Sequence, residues 1–224
     1  MQTIGLLRHK LLYGLIEKKN SPLTRLGDPC PWDICMDGLD SHSVIISAGA
    51  GNDISFEIEL RKKTGATIIL LDPSPTGRKT VDDTPANQLA GIKFLPYGLA
   101  AKSGVNTFAL PANPVEGSYA LLPTGKGTVS FECRSLGDLM RENNLQRVDL
   151  LKMDIEGFEW EVLDSILTQR LNVSQICVEF HPMHNLYWSG LQRYFKLIKM
   201  RWKGYCLVSH QGTGDHTFLK TRGK

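Results

Sequence analysis

Five short apolar runs recur along the chain: SVIISA (43–48), ATIILLD (66–72), IKFLPYGLA (92–100), VDLLKMD (148–154) and QICVEFHP (175–182). Each ends at a polar, proline- or glycine-bearing turn, and each is short enough to be a strand buried in a sheet. Helical patterns lie between them. In DISFEIELRKK (53–63), Ile54 pairs with Ile58 and Phe56 with Leu60 at i,i+4. Ser135 and Asp138 have capping-box spacing at the head of SLGDLMRENNL. After residue 154, Val162, Leu163, Ile166 and Leu167 share one helix face. LQRYFKLIKMRW (191–202) reads as a basic amphipathic helix.

Strands that alternate with helical crossovers imply a three-layer α/β fold around a mostly parallel sheet. YCLVSH (205–210) and HTFLK (216–220) are joined by the tight turn QGTGD and leave no room for a helix. They form a hairpin, so one C-terminal strand is antiparallel. VNTFALP and TVSFECRSL, within 103–134, are expected to form a hairpin or loop beside the main sheet.

The 224 residues suit one large α/β domain, and 42% hydrophobic content suits a packed core. A net charge of +3 gives no strong reason to expect nucleic acid or an anionic membrane as partner. No apolar run approaches the length of a transmembrane segment. In MQTIGLLRHKLLYGLIEKKN, leucines recur at helical spacing between basic residues. Residues 1–41 are therefore expected as a helical extension packed on a domain spanning 42–224, with a surface-lying membrane helix as the alternative. An uninterrupted apolar core and a cleavage site, the marks of a signal peptide, are not found. Five cysteines at scattered spacing, Cys30, Cys35, Cys133, Cys177 and Cys206, argue against a disulfide framework and for a reducing, cytoplasmic compartment.

An open parallel sheet binds ligands at the carboxyl ends of its strands, so the residues after each run are the informative ones. After the first come Ser47, Gly49, Gly51, Asn52 and Asp53. The two glycines let the backbone turn sharply and let a ligand approach closely. The third glycine of the dinucleotide fingerprint is missing, and Asp53 disfavours a pyrophosphate at the helix start. After the second run stand Asp72 and Pro73, about 20 residues beyond the glycines, where an acid accepts from ribose hydroxyls or opens a turn. Gly98 and Leu99 follow the third and suit one face of an adenine ring, or a surface loop. Asp154 and Glu156 follow the fourth, and Glu179 and His181 the fifth. Clustered acids call for a cation among them, which a sulfonium, Lys152 or a divalent metal could supply.

At these residues the sequence resembles the FkbM-type methyltransferases. VDLLKMDIEGFEWEVL carries the closest match, and SAGAGNDISFE, LLDPSP, FLPYGLA and QICVEFHP look like the other blocks in order. The resemblance spans roughly residues 30–220 and implies the seven-stranded, Rossmann-like class I methyltransferase fold with S-adenosyl-L-methionine as cofactor. It maps Gly49, Gly51 and neighbouring backbone to the cofactor's aminoacyl part, Asp72 to the ribose, Gly98 and Leu99 to the adenine, and Asp154 to the methionine and acceptor. Many members carry an acid where Ser47 stands. Either Asp53, Asp154 or Glu156 compensates, or cofactor binding is weaker.

The expected reaction is transfer of a methyl group to a hydroxyl of a sugar or other small metabolite. An alcohol must lose its proton, so a base is needed. His181 is the first choice, as a neutral imidazole near pH 7, and Asp154 or Glu156 the second. Trp188 and the 103–134 segment are expected to shape the acceptor pocket. A nicotinamide-linked oxidoreductase and a catalytically silent cofactor-binding domain are the alternatives.

Overall fold

A computed structural model describes residues 21–111, 118–121, 127–181, 186–211 and 214–221, with only the backbone described for 186–190. The helix expected at 1–20 lies outside the described residues. The rest of the expected helical extension, 21–41, is not helical. There β1 (Thr24–Leu26) and β2 (Trp32–Ile34) pair antiparallel, with Leu26 opposite Trp32. Pro22, Pro29 and Pro31 lack the N–H that a helix interior requires, and Gly27 turns the chain at φ +94°.

The next elements in chain order are β3 (Val44–Ala48), α1 (Ser55–Thr64), β4 (Thr67–Leu71), α2 (Pro75–Asp83) and β5 (Ile92–Leu95). Then come β6 (Gly98–Ala100), β7 (Gly104–Ala109), β8 (Thr128–Ser135) and α3 (Leu136–Glu142). The chain continues through β9 (Val148–Met153), α4 (Glu159–Gln169), β10 (Val173–Glu179), α5 (Leu186–Trp202), β11 (Tyr205–Gln211) and β12 (Asp215–Lys220).

Seven strands form the main sheet in the order β11-β12-β10-β9-β3-β4-β5. Five of them, from β10 to β5, run parallel, and β12 is antiparallel to both its neighbours. This is the mostly parallel sheet with a C-terminal hairpin that the sequence implies. Alternate strand residues face opposite layers. Ile46 and Leu151 pack against α3, α4 and α5. Ile45 and Leu150 pack against Phe56 and Leu60 of α1 and against Leu26, Trp32 and Ile34 of the N-terminal hairpin. That hairpin is pinned to the sheet: Cys35 N–H donates to Gln175 Oε1 (2.8 Å), and Thr217 Oγ1 donates to the Asp33 carbonyl (2.6 Å).

The run 92–100 is two strands rather than one. β5 pairs with β4, whereas β6 pairs with β8 in a separate three-stranded sheet ordered β6-β8-β7. Pro96 has no N–H to give a ladder and separates the two. The capping box at Ser135 forms in altered shape. Asp138 N–H donates to Ser135 Oγ (3.1 Å), but the Ser135 backbone N–H goes to Ser103 Oγ (2.9 Å). Aspartate is one methylene shorter than the usual glutamate and reaches the hydroxyl instead.

The chain runs from β3 outward to β5 and returns to β9 on the other side of β3. The switch point therefore lies between β3 and β9, and the crevice there is where such sheets bind ligands. No helix of the described residues is long and apolar enough to cross a membrane.

Candidate active site

A cavity of about 300 Å³ opens at this switch point. Gly49, Gly51, Asn52, Asp72 and Pro73 line one side, and Gly98 and Leu99 another. Asp154 and Glu156 close it from the end of β9. Phe108, Ser118 and Tyr119 bring the described part of the 103–134 segment to its wall, while the Trp188 side chain lies outside the described residues. Cys30 and Trp32 also line it, a contribution from the N-terminal hairpin that local sequence patterns do not signal.

The glycine turn is held from several sides. Gly49 has φ +94°, and a Cβ there would overlap the Asp154 carbonyl oxygen, so no other residue fits. Asp72 Oδ2 accepts from Ala50 N–H (2.9 Å) and Gly51 N–H (3.0 Å). Its Oδ1 accepts from Ser74 N–H (2.7 Å) and Ser74 Oγ (2.6 Å). Four donors of the chain itself thus occupy a carboxylate with about four acceptor sites. Asp72 is first of all a staple between the glycine turn and the start of α2. Gly77 has no Cβ because Asp72 fills that space.

Ser47 does not reach the cavity. It is fully buried, and its hydroxyl donates to Glu57 Oε1. Glu57, on α1, is the acid at this place in the fold. It is buried, lines the cavity and faces the charge of Lys152. Burial pushes its pKa up, while the Lys152 charge and the Ser47 hydroxyl pull it down. Of the acids expected to compensate for Ser47, Asp53 is engaged with Ser55 N–H (2.9 Å) and Ser55 Oγ (2.8 Å) at the head of α1.

After β9, Glu156 has φ +55° and Gly157 φ +110°. A left-handed non-glycine residue costs about 1–2 kcal/mol, so the surroundings must impose it. Leu121 N–H holds the Glu156 carbonyl (2.9 Å). Glu159 acts from the other side. It is the first residue of α4, yet its carboxylate is fully buried and folds back. It accepts from Ile155 N–H (3.0 Å), from Gly157 N–H (3.0 Å to Oε2) and from His181 Nδ1 (2.8 Å).

His181 does not line the cavity; it stands beside two carboxylates that do, with Nε2 toward Glu156 Oε2 (3.4 Å) and Asp154 Oδ1 (3.8 Å). Burial alone would lower its pKa. The hydrogen bond to Glu159 and the charges of Glu159, Glu156 and Asp154 outweigh that and push it up to about 10. These charges favour the imidazolium, which donates and cannot accept, over the neutral ring that a base at His181 requires. One ligand atom each of Asp154, Glu156 and His181 lies within 4.8 Å of the others, close enough for one divalent ion. Burial, then the Asp154 charge, pushes Glu179 up to about 7, and burial raises Glu156.

These shifts have one sign for stability. His181 favours the folded state fully below pH 6.5, its ordinary value, and that contribution is lost as pH rises through about 10. Glu179 disfavours folding increasingly as pH rises from 4.5 through about 7, because its charged form is the buried one. Burial lowers the His216 pKa to about 3, which destabilises the fold as pH falls below 6.5, so the protein is expected to melt at a higher temperature near pH 6.5 than at alkaline pH. A scanning-calorimetry series across that range checks it, and a melting temperature that rises with pH contradicts it.

The family model described as "Methyltransferase FkbM domain" matches residues 42–204. The chain is 29% identical over 169 residues to the methyltransferase sdnD of Sordaria araneosa, covering 60% of this chain and 65% of that protein. It is 23% identical over 118 residues to the hexuronic acid methyltransferase AglP of Haloferax volcanii, covering 53% of this chain and 48% of that one. The chain thus spans 65% and 48% of these relatives' lengths. Among solved structures, it is similar to a fibrillarin pre-rRNA processing protein of Methanococcus jannaschii, at 9% identity and a TM-score of 0.47, over 82% of this chain and 69% of that one. A precorrin-6y C5,15-methyltransferase of Geobacter metallireducens gives 14% identity and 0.45, over 82% and 84%.

Proposed function

The chain belongs to the FkbM methyltransferase family, and on that premise we propose that it transfers a methyl group from S-adenosyl-L-methionine to a hydroxyl of a sugar or another small metabolite. One observation carries the reading. At the switch point, a glycine turn without a phosphate-binding fingerprint meets the carboxylates of Asp154, Glu156 and Glu57. That environment suits a cation and repels a pyrophosphate. The hexuronic acid named for the Haloferax relative supports a carbohydrate acceptor.

The donor fits the residues present: the aminoacyl part against the Gly49–Gly51 turn, the ribose beside Asp72, the adenine toward Gly98 and Leu99. When bound, it supplies a methyl group activated on a positive sulfur. The chain's task is then to align the acceptor oxygen behind that methyl and to take the hydroxyl proton. Held there, the donor would supply its methyl carbon to the acceptor oxygen and leave as neutral S-adenosylhomocysteine, and the hydroxyl proton would pass to a carboxylate of this chain. Glu156 takes this role. It lines the cavity, and its raised pKa makes it a better base than an ordinary glutamate. Asp154 faces the methionine part and the acceptor, and the His181 imidazolium holds both carboxylates in place.

Incubation with labelled S-adenosylmethionine and a panel of uronic and neutral sugars tests the reading. Label is expected on an acceptor oxygen. Glu156→Gln is expected to lower kcat about 100-fold, a usual share for general-base catalysis, with S-adenosylhomocysteine binding kept. Undiminished turnover in this variant removes Glu156 as the base. Calorimetric binding of NAD without any binding of S-adenosylhomocysteine would replace the whole reading by an oxidoreductase.

A further inference from the structure

We propose that the outer face of α5, with the edge of the sheet below its C-terminal end, docks on an anionic lipid bilayer. Phe195 and Trp202 enter the bilayer interface, and Arg170, Lys203 and Lys220 meet lipid phosphates. The inference is independent of the methyltransferase reading and uses none of the residues that line the active-site cavity.

α5 carries two apolar faces, and only one of them is buried. Leu197 and Met200 belong to the main core. Leu191, Phe195 and Trp202 follow one another at i, i+4 and i+11, which puts them on a single stripe on the other side of the helix. Their exposures are 38%, 60% and 84%. One exposed apolar residue needs no explanation. A stripe of three large ones, about 16 Å long, marks an interaction surface.

A second cavity, of about 430 Å³, opens beside Trp202. Ile166, Leu167 and Tyr205 give it apolar walls, and Arg170, Lys203 and Lys220 bring cations to it. The topology gathers these cations. Arg170 and Lys203 shortly precede β10 and β11, and Lys220 ends the antiparallel β12, opposite Tyr205. All three therefore lie at the amino ends of the parallel strands, whereas Asp154, Glu156 and Glu179 lie at the carboxyl ends. The net charge of +3 conceals this polarity. Lys196 and Lys199 are paired with Asp164 (2.8 and 2.6 Å). Among the described residues, no carboxylate pairs with Arg170, Arg201, Lys203 or Lys220. A second copy of the chain seated on this face would bring like charges together, whereas an anionic surface complements them. A polyanion without apolar surface would use the cations and leave the stripe in water. A bilayer of anionic lipid covers both, and an indole and a phenyl ring flanked by cations suit its interface.

Co-sedimentation of the full chain with two kinds of vesicle tests this: phosphatidylcholine alone, and phosphatidylcholine mixed with phosphatidylglycerol. Binding is expected to the mixed vesicles only, and is expected to weaken as salt rises. Lys203→Gln combined with Lys220→Gln is expected to weaken it about 25-fold, at about 5-fold for each cation near the lipid surface. Trp202→Ser is expected to weaken it about 10-fold through lost apolar burial. All three side chains are exposed, so the melting temperature of these variants is expected to match that of the unaltered chain. The docking surface is overturned if the mixed vesicles are not bound, if neutral vesicles are bound equally well, or if the variants bind as the unaltered chain does. Release from the vesicles by inorganic phosphate at matched ionic strength would assign the cations to a free anion and overturn it too. So would a dimer of the unaltered chain that Trp202→Ser dissociates, since the stripe would then belong to a second copy.

Discussion

Glu159→Ala is expected to destabilise the fold by about 3–5 kcal/mol, the usual cost of removing one partner from a buried charge pair. The carboxylate it deletes is fully buried and serves Ile155 N–H, Gly157 N–H and His181 Nδ1 together. Two backbone donors and an imidazolium would be left without their acceptor at the start of α4. Against a total stability of roughly 5–15 kcal/mol, the loss is large enough to see in urea unfolding. Methyl transfer is expected to vanish with it, because Glu159 holds the turn that aims Asp154 and Glu156. Glu159→Gln separates position from charge. Its amide oxygen still accepts, but the His181 pKa should fall well below about 10, since the Glu159 hydrogen bond and charge are foremost among the causes that hold it up. Proton NMR of the imidazole reads this directly. Unchanged stability in Glu159→Ala, or an unmoved His181 titration in Glu159→Gln, would show that the carboxylate does not organise the site.

The second large effect is expected at Asp72. Asp72→Asn keeps the shape but replaces one acceptor oxygen by a donor, which then faces either the two N–H groups of Ala50 and Gly51 or the N–H and hydroxyl of Ser74. Because the residue lines the cavity, water can meet part of the deficit, and a stability loss of about 2–4 kcal/mol is expected, at 1–3 kcal/mol for each buried group left unsatisfied. Affinity for S-adenosylhomocysteine is expected to fall by about 100-fold or more, equivalent to roughly 3 kcal/mol. The glycine turn loses its staple at the same time as the ribose loses its neighbour. Positioning of the turn follows from these four bonds, ribose binding is the proposed second role, and the readout that tells them apart is methylthioadenosine. A residue that only met the aminoacyl end would leave binding of that probe intact. If Asp72→Asn binds both compounds as the parent does, the staple is dispensable.

The main sheet was legible because strands buried on both faces must be apolar almost throughout, and every residue of β9 is buried. For the same reason the few polar residues at strand ends stood out. Gly49, Gly51, Asp72, Asp154 and Glu156 are all found on one cavity. A run of apolar letters, however, does not tell which sheet a strand joins. Only the ladder, interrupted at Pro96, assigns β5 and β6 to different sheets. Helical periodicity marked the Phe56 and Leu60 face of α1 and passed over Glu57, because a charged residue is read as solvated unless a partner is known. Its partner Ser47 is ten residues away, and Lys152 more than ninety.

His181 shows the limit most plainly. Its place after the fifth apolar run was readable, but its protonation was not. That depends on three carboxylates within a few ångströms, two from the turn after β9 and one folded back from α4. The N-terminal hairpin is similar, since Trp32 reaches the cavity only through bonds spanning most of the chain, such as Cys35 to Gln175, 140 residues apart. What the sequence by itself determined was the set of strands, the order of the strand-end motifs and the family they resemble, all of which follow from local pattern and burial. What only the tertiary structure decided was which charges face one another. Coulomb interaction and desolvation act through space over a few ångströms, and the distance along the chain carries no record of them.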